Sequence, residues 1–342
     1  MIYLKTDDEI ELLRKANLLV SATLTEIAKV VEPGVTTRQL DTLAEQFIRD
    51  HGAEPTFKGF PNPYGGPFPA SICTSVNNVV VHGIPNDEPL RDGDIVSVDC
   101  GTFIDGFCGD SCYTFCVGEV KPEVKELLRV TKESLYKGIE QAIAGHRLGD
   151  IGYAVQHHCE EHGYGVVREF VGHGIGHEMH EDPQVPNYGK QGTGKQLKNG
   201  LCIAIEPMIT MGSHELAMLE DRWGVITRDG KPAAHFEHTI AIHHGKADIM
   251  SSFAEIEEVG VNCIGVHVGV DLQAAGVTPM DDLKRIKAAS KHSMISVAGG
   301  INVDTVDDYK AVGADIVIVG GGINHAEDPV AAAKAIYEKV HA

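Results

Sequence analysis

Apolar residues recur at helical spacing from Asp7 to Val31, at Ile10, Leu13, Leu24, Ile27 and Val31, until Pro33-Gly34 stops the pattern. A second helix is expected after Thr36-Thr37, ending at His51-Gly52. The arrangement then recurs: Pro122 opens a long helix, Gly145 breaks it, and a shorter one closes at His162-Gly163. β-rich sequence with alternating polarity follows each helix pair. This reads as two α+β halves related by a weak internal duplication. From about Ala247 the pattern changes. Apolar runs at Cys263–Val268, Met294–Ala298 and Asp315–Val319 alternate with helical stretches at 278–289, 304–312 and 329–340. Continuous apolar strands alternating with helices indicate buried parallel β/α units. Asp304 and Asp328 suit N-caps, and Pro279 and Pro329 suit first helical positions. The change of regime places a domain boundary near His244-Gly245, giving domains 1–245 and 246–342.

Charge and composition narrow the possible partners. A net charge of −20 argues against electrostatic capture by nucleic acid or anionic lipid. No apolar run reaches the length that a bilayer demands. Met1–Glu11 is charged from Lys5 onward and has no apolar core of a leader, so the expected location is the cytoplasm. The eight cysteines, three of them at Cys108, Cys112 and Cys116, are then expected to be reduced and buried.

Candidate chemistry begins in Asp94–Asp110, which reads as strand, Asp105-Gly106 turn, strand. A two-residue turn there pairs Gly101 with Asp110 and Asp99 with Cys112. Asp99 and Asp110 then lie diagonally on one sheet face. Two aspartates on one face of apolar strands repel unless cations neutralise them; the competing reading has both pointing into solvent. Further acids tip the balance. Phe170-Val-Gly-His173-Gly-Ile-Gly-His177 sets a histidine among glycines, Glu206 ends an apolar run, and Glu237 sits within a strand. Four acids with one imidazole suit a pair of first-row divalent ions.

These segments stand in a familiar order: Val81-His82-Gly-Ile-Pro, Val98-Asp99-Cys-Gly, Gly109-Asp110, Gly172-His173-Gly-Ile-Gly, Met179-His180-Glu-Asp-Pro, Ile205-Glu206-Pro-Met and Phe236-Glu237-His-Thr. Residues 1–243 resemble a type I methionine aminopeptidase, which implies the pita-bread fold with pseudo-twofold halves. The resemblance implies Asp99, Asp110, His173, Glu206 and Glu237 as ligands of two divalent ions, with Co, Mn, Fe, Zn and Ni undistinguished. It also implies catalytic roles: Glu206 relays a proton, His180 stabilises an oxyanion, and His82 contacts the scissile amide. Phe68, Cys73, Met179 and Trp223, the chain's one tryptophan, would line a methionine pocket, although Asn62-Pro-Tyr-Gly-Gly66 reads as an insertion beside it. His177, His238 and His243 are expected to support structure. The implied partners are nascent polypeptide N-termini and, transiently, the ribosome. The main alternative within the fold is an Xaa-Pro aminopeptidase or prolidase; a non-catalytic binding protein would be expected to lose ligands.

The tail resembles the last third of the hexulose-phosphate synthase and keto-gulonate-phosphate decarboxylase barrels. The matching segments are Gly265–Gly276 with its Asp271-Leu-Gln-Ala run, Val297-Ala-Gly299-Gly300-Ile and Ile318-Val-Gly320-Gly321-Gly322-Ile. That likeness implies phosphate-gripping turns at Gly299, Gly300, Gly320 and Gly321. About three strands stand where eight are needed, and the Asp-x-Lys-x-x-Asp motif does not occur. A truncated, non-catalytic TIM-barrel-derived fragment is therefore expected. The alternative is a bifunctional fusion with sugar-phosphate activity.

Overall fold

The computed structural model describes residues 2–251, 263–267, 279–289, 294–324, 326 and 328–341. It divides into two units, Met1–Ser251 and Ser252–Ala342.

In the first unit, Thr6 and Glu9 close a reciprocal capping box at the start of α1 (Asp7–Ala28), and Thr36 and Gln39 do the same for α2 (Thr37–Asp50). Both helices turn their apolar stripes onto a sheet in which Ile95–Ile104 pairs with Ile72–Val76 and Glu54–Pro55 on one side and Phe107–Cys116 on the other. The second half repeats the plan. α3 (Pro122–Glu140) and α4 (Leu148–Glu161) pack over a five-stranded sheet ordered Lys246–Ile249, His238–His243, Cys202–Ile205, Gly172–Gly174 and Glu181–Val185.

The hairpin register is the one expected: Asp99 opposes Cys112 and Gly101 opposes Asp110. Asp105 and Gly106 both have positive φ, at 52° and 85°, matching the right-handed twist of the flanking strands. Gly109 admits α1 at close range, since a Cβ there would stand 2.5 Å from the Ala16 carbonyl carbon. Asn17 of α1 accepts the Asp110 amide at 3.1 Å. Three further bonds join the halves through the ligand-bearing segments. The Glu237 amide donates to the Cys112 carbonyl at 2.9 Å, Ser111 Oγ to the Glu237 carbonyl at 2.6 Å, and Thr239 Oγ1 to the Asp110 carbonyl at 2.9 Å.

The boundary expected at His244-Gly245 falls inside a hairpin. Lys246–Ile249 pairs antiparallel with Ile240–His243, and Asp248 holds Arg14 of α1 at 2.6 Å. Met250 is buried in the α1 core, and Ser251 Oγ lies 2.8 Å from His238 Nδ1. The first unit thus uses six residues beyond Gly245, because the edge strand is half exposed and carries too few apolar positions to announce itself.

In the second unit the described strands Cys263–His267, Met294–Ala298 and Ile316–Ile318 run parallel, in that order. Leu283, Ile286, Val306, Tyr309 and Ile336 pack against them. Asp328 caps the Pro329–His341 helix as expected, whereas Thr305, not Asp304, precedes the Val306–Val312 helix and Asn302 Oδ1 accepts the Asp304 and Thr305 amides. The glycine turns follow adjacent strands, and Gly322 packs against the Ile301 carbonyl. The Asp271-Leu-Gln-Ala run lies outside the described residues.

Shortening the chain tests the boundary. A protein ending at Ser251 should keep the melting temperature of the peptidase unit. One ending at His244 loses the edge strand, a buried methionine contributing about 2 kcal/mol and the bond to His238. It should melt roughly 5–10 °C lower. Equal melting temperatures would place the boundary back at residue 245.

Candidate metal centre

Asp99 lies in the middle of strand Ile95–Ile104, and Asp110 three residues after Phe107 on its partner. His173 occupies the short strand Gly172–Gly174, where flanking glycines let strands Cys202–Ile205 and Glu181–Val185 close over it. Glu206 follows the last residue of Cys202–Ile205, and Glu237 precedes His238–His243. The two sheets therefore bring all five residues to one buried place from opposite halves of the unit. One donor atom each from Asp110, His173 and Glu237 lies within 4.8 Å of the others. His173 Nε2 stands 3.5 Å from Asp110 Oδ2 and 3.6 Å from Glu206 Oε1. His173 Nδ1 donates to the Gly174 carbonyl at 2.9 Å, which leaves Nε2 as the ring nitrogen facing the acids.

The electrostatics are those of a site that calls for positive charge. Burial, then the charges of Asp110 and Glu206, push Asp99 well above the usual carboxylate range. Burial followed by the neighbouring acids does the same to Glu237, and burial raises Asp110 against the opposing pull of His173. Burial opposes a charge on His173, yet its bond to Asp110 and the nearby carboxylates lift it to about 9. Asp99 Oδ1, Asp110 Oδ1 and Glu237 Oε1 are buried with no hydrogen-bond partner within the protein. Buried acid oxygens of this kind are costly unless something positive meets them. A hard, oxygen-rich set with one imidazole fits a pair of divalent ions.

A cavity of about 140 Å³ opens onto this cluster, lined among others by His82, Asp99, Phe170, His173, His180 and Glu206. His82 adopts a positive φ of 59° and sets its ring edge-on to Phe170, with centroids 5.4 Å apart. Burial lowers its imidazole to about 4. His180 faces the cleft between Phe60 and His173, 5.4 and 4.3 Å from its ring. Desolvation by these neighbours, with repulsion from charged His173, lowers it to about 4 although the residue as a whole is exposed. Both rings are neutral at pH 7.

The expected pocket residues are divided between two packing groups. Phe68 and Cys73 share one apolar cluster with Trp223, whose ring meets Phe68 edge-on at 5.0 Å. Cys73 stands directly across the sheet from Asp99, and burial holds its thiol protonated, so it presents a small apolar wall. Met179 belongs to the neighbouring α1 core and meets the first group through Phe57. His238 and His243 bind Ser251 and Asp7, and His177 binds the Gly106 carbonyl. One residue at the site carried no signal in the sequence. His235 is buried, its Nε2 is unpartnered, and it lies 3.6 Å from Glu206 Oε2 in the cavity wall.

The profile of metallopeptidase family M24 matches residues 11–244, and that of the orotidine 5'-phosphate decarboxylase/HUMPS family matches residues 235–336. A methionine aminopeptidase of Clostridium acetobutylicum is 50% identical over 252 residues, 73% of this chain and 99% of its own length. The crystal structure of a methionine aminopeptidase from Thermotoga maritima is 44% identical, with a TM-score of 0.71, covering 74% of this chain and all of that one. An X-Pro aminopeptidase from the same organism, at 21% identity and TM-score 0.57 over 73% of this chain and 62% of its own, shares the fold alone. Fold and donor set together define a pita-bread metallopeptidase with a dinuclear divalent centre. The chain belongs to metallopeptidase family M24 and, within it, to the methionine aminopeptidases.

Crowded acids give the site a testable signature. Raised folded-state carboxylates bind more protons than the unfolded chain does, so their penalty grows as pH rises above the ordinary carboxylate range. At neutral pH the metal-stripped Asp99→Asn variant should melt a few degrees above stripped wild type, a gap that shrinks as pH falls. Divalent ions should then raise wild type above the variant. A stripped variant melting below stripped wild type would remove Asp99 from the repelling cluster.

Proposed function

We infer that this chain removes the initiator methionine from nascent proteins whose second residue is small, acting in the cytoplasm. The observation that carries the reading is the convergence of five ligand-type residues from both halves on one small cavity flanked by two neutral histidines. Divalent ions held by Asp99, Asp110, His173, Glu206 and Glu237 would supply Lewis acidity and a nucleophile at neutral pH. The protein's own groups do the rest. Glu206 reaches into the cavity with Oε1 towards His173 and Oε2 towards His235, a position from which it can take a proton and pass it to the departing amine. Neutral His180 can donate an N–H to the oxygen on which charge develops, and neutral His82 can bond the scissile amide. Phe68, Cys73 and Trp223 offer an unbranched thioether an apolar wall, and Met179 adjoins their cluster through Phe57.

The relatives at about half identity favour methionine over proline-directed cleavage, since the X-Pro enzymes share only the fold. The second unit adds no catalytic group by this reading. Its described strands number three and the chain lacks the Asp-x-Lys-x-x-Asp motif.

Two assays test the assignment. The metal-loaded enzyme should release methionine from Met-Ala-Ser, while Leu-Ala-Ser, Met-Leu-Ser and Ala-Pro-Ser should be cleaved at least about a hundredfold more slowly. Rapid cleavage of Ala-Pro-Ser would favour the proline-directed alternative. His180→Ala should lower kcat by roughly two to four orders of magnitude with metal content unchanged. Loss of metal from that variant would make His180 a ligand instead.

A further inference from the structure

A second, larger cavity of about 580 Å³ lies outside the catalytic chamber and shares His82 and Phe170 with it. Its remaining wall is largely apolar, formed by Pro61, Pro63, Tyr64, Met218 and Trp223, with Arg222 among them. Two loops far apart in sequence build it, and hydrogen bonds lock them together. Asn62 Nδ2 donates to the Arg222 carbonyl at 2.9 Å, Trp223 Nε1 donates to the Gly66 carbonyl at 3.1 Å, and the Arg222 guanidinium bonds the Tyr64 carbonyl. Asn62 Oδ1 also accepts the Tyr64 amide at 2.9 Å. Arg222 is thus a strut between the loops; the adjacent Asp221 carboxylate is occupied by the Trp223 and Gly224 amides. The wall stands preformed, yet it leaves Tyr64 at 77% and Met218 at 62% exposure. Large apolar side chains left bare on a fixed frame mark a binding surface.

We propose that this outer cavity is the subsite for the substrate's third residue, and that Tyr64 and Met218 select an apolar or aromatic side chain there. The proposal rests on the aminopeptidase reading above. A peptide whose first side chain packs on Phe68, Cys73 and Trp223, with its scissile bond beside His82, must leave past Trp223, His82 and Phe170, all three of which line the outer cavity. An extended chain advances about 3.3 Å per residue and alternates its side chains, so residues one and three fall on the same side. The third side chain therefore enters the outer cavity, while the second turns towards the opposite wall. The occupant is the nascent chain itself, and the Asn62–Gly66 insertion and the Met218–Trp223 loop serve as its clamp.

The experiment compares kcat/KM for Met-Ala-Phe-Ser, Met-Ala-Gly-Ser and Met-Ala-Asp-Ser with the full-length, metal-loaded enzyme. Wild type should prefer Phe over Gly at the third position by about tenfold, as expected for an apolar group entering a preformed pocket, and should disfavour Asp. In Met218→Ala and Tyr64→Ala, each measured as a ratio within one enzyme, the Phe-to-Gly preference should shrink to about two- to threefold. A preference that persists unchanged in both variants, or no preference in wild type, overturns the proposal. Absence of methionine release from all three peptides would instead overturn the aminopeptidase reading, so the two failures are distinct.

Discussion

Mutual repulsion among buried carboxylates governs this fold. Asp99, Asp110 and Glu237 carry acid oxygens with no partner inside the protein, and Glu206, at the end of the strand paired with that of Glu237, faces the two aspartates from the opposite sheet. Burial weakens the screening of such a cluster by solvent, and a lone imidazole cannot balance it. The arrangement makes physical sense as a cage for positive charge, whose insertion turns an unfavourable grouping into a stabilising one.

Holding the acids together against that repulsion is the task of the backbone. Each ligand-bearing segment is tied to its neighbour by a main-chain group. Ser111 and Thr239 bond the carbonyls of Glu237 and Asp110, and Asn17 reaches from α1 to the Asp110 amide. The Ser111 and Thr239 bonds also join the two α+β halves, so the interface between them and the frame of the metal centre are one structure. The edge strand Lys246–Ile249 and its bond from Asp248 to Arg14 brace α1 from behind. That is why the peptidase unit continues past the point where apolar patterning changes.

Legibility in the sequence followed the range of the signal. The Asp-Gly turn is local, so the hairpin register, and with it the diagonal placing of Asp99 and Asp110, could be read directly. Glu206 and Glu237 sit at strand ends with no local mark of their purpose and became intelligible through the order of motifs that surrounds them. Phe68, Cys73 and Trp223 could be grouped by the same resemblance, whereas Met179 belongs to the α1 core, which shares Phe57 with their cluster. His235 and the outer cavity were not readable. His235 acts through a contact with Glu206 across two sheets. The cavity arises where Asn62 meets Arg222, 160 residues along the chain. The tail's parallel β/α pattern was plain because continuous apolar strands need no long-range knowledge to recognise.

The most direct measurement of this account is a titration of metal-stripped protein with one divalent ion, following bound metal, proton release and methionine release from Met-Ala-Ser together. Two ions should bind per chain, protons should leave the raised carboxylates and His173 as they do, and activity should rise only with metal occupancy. Methionine release by the fully stripped protein, or binding of metal without loss at His173→Ala, would contradict a centre built from Asp99, Asp110, His173, Glu206 and Glu237.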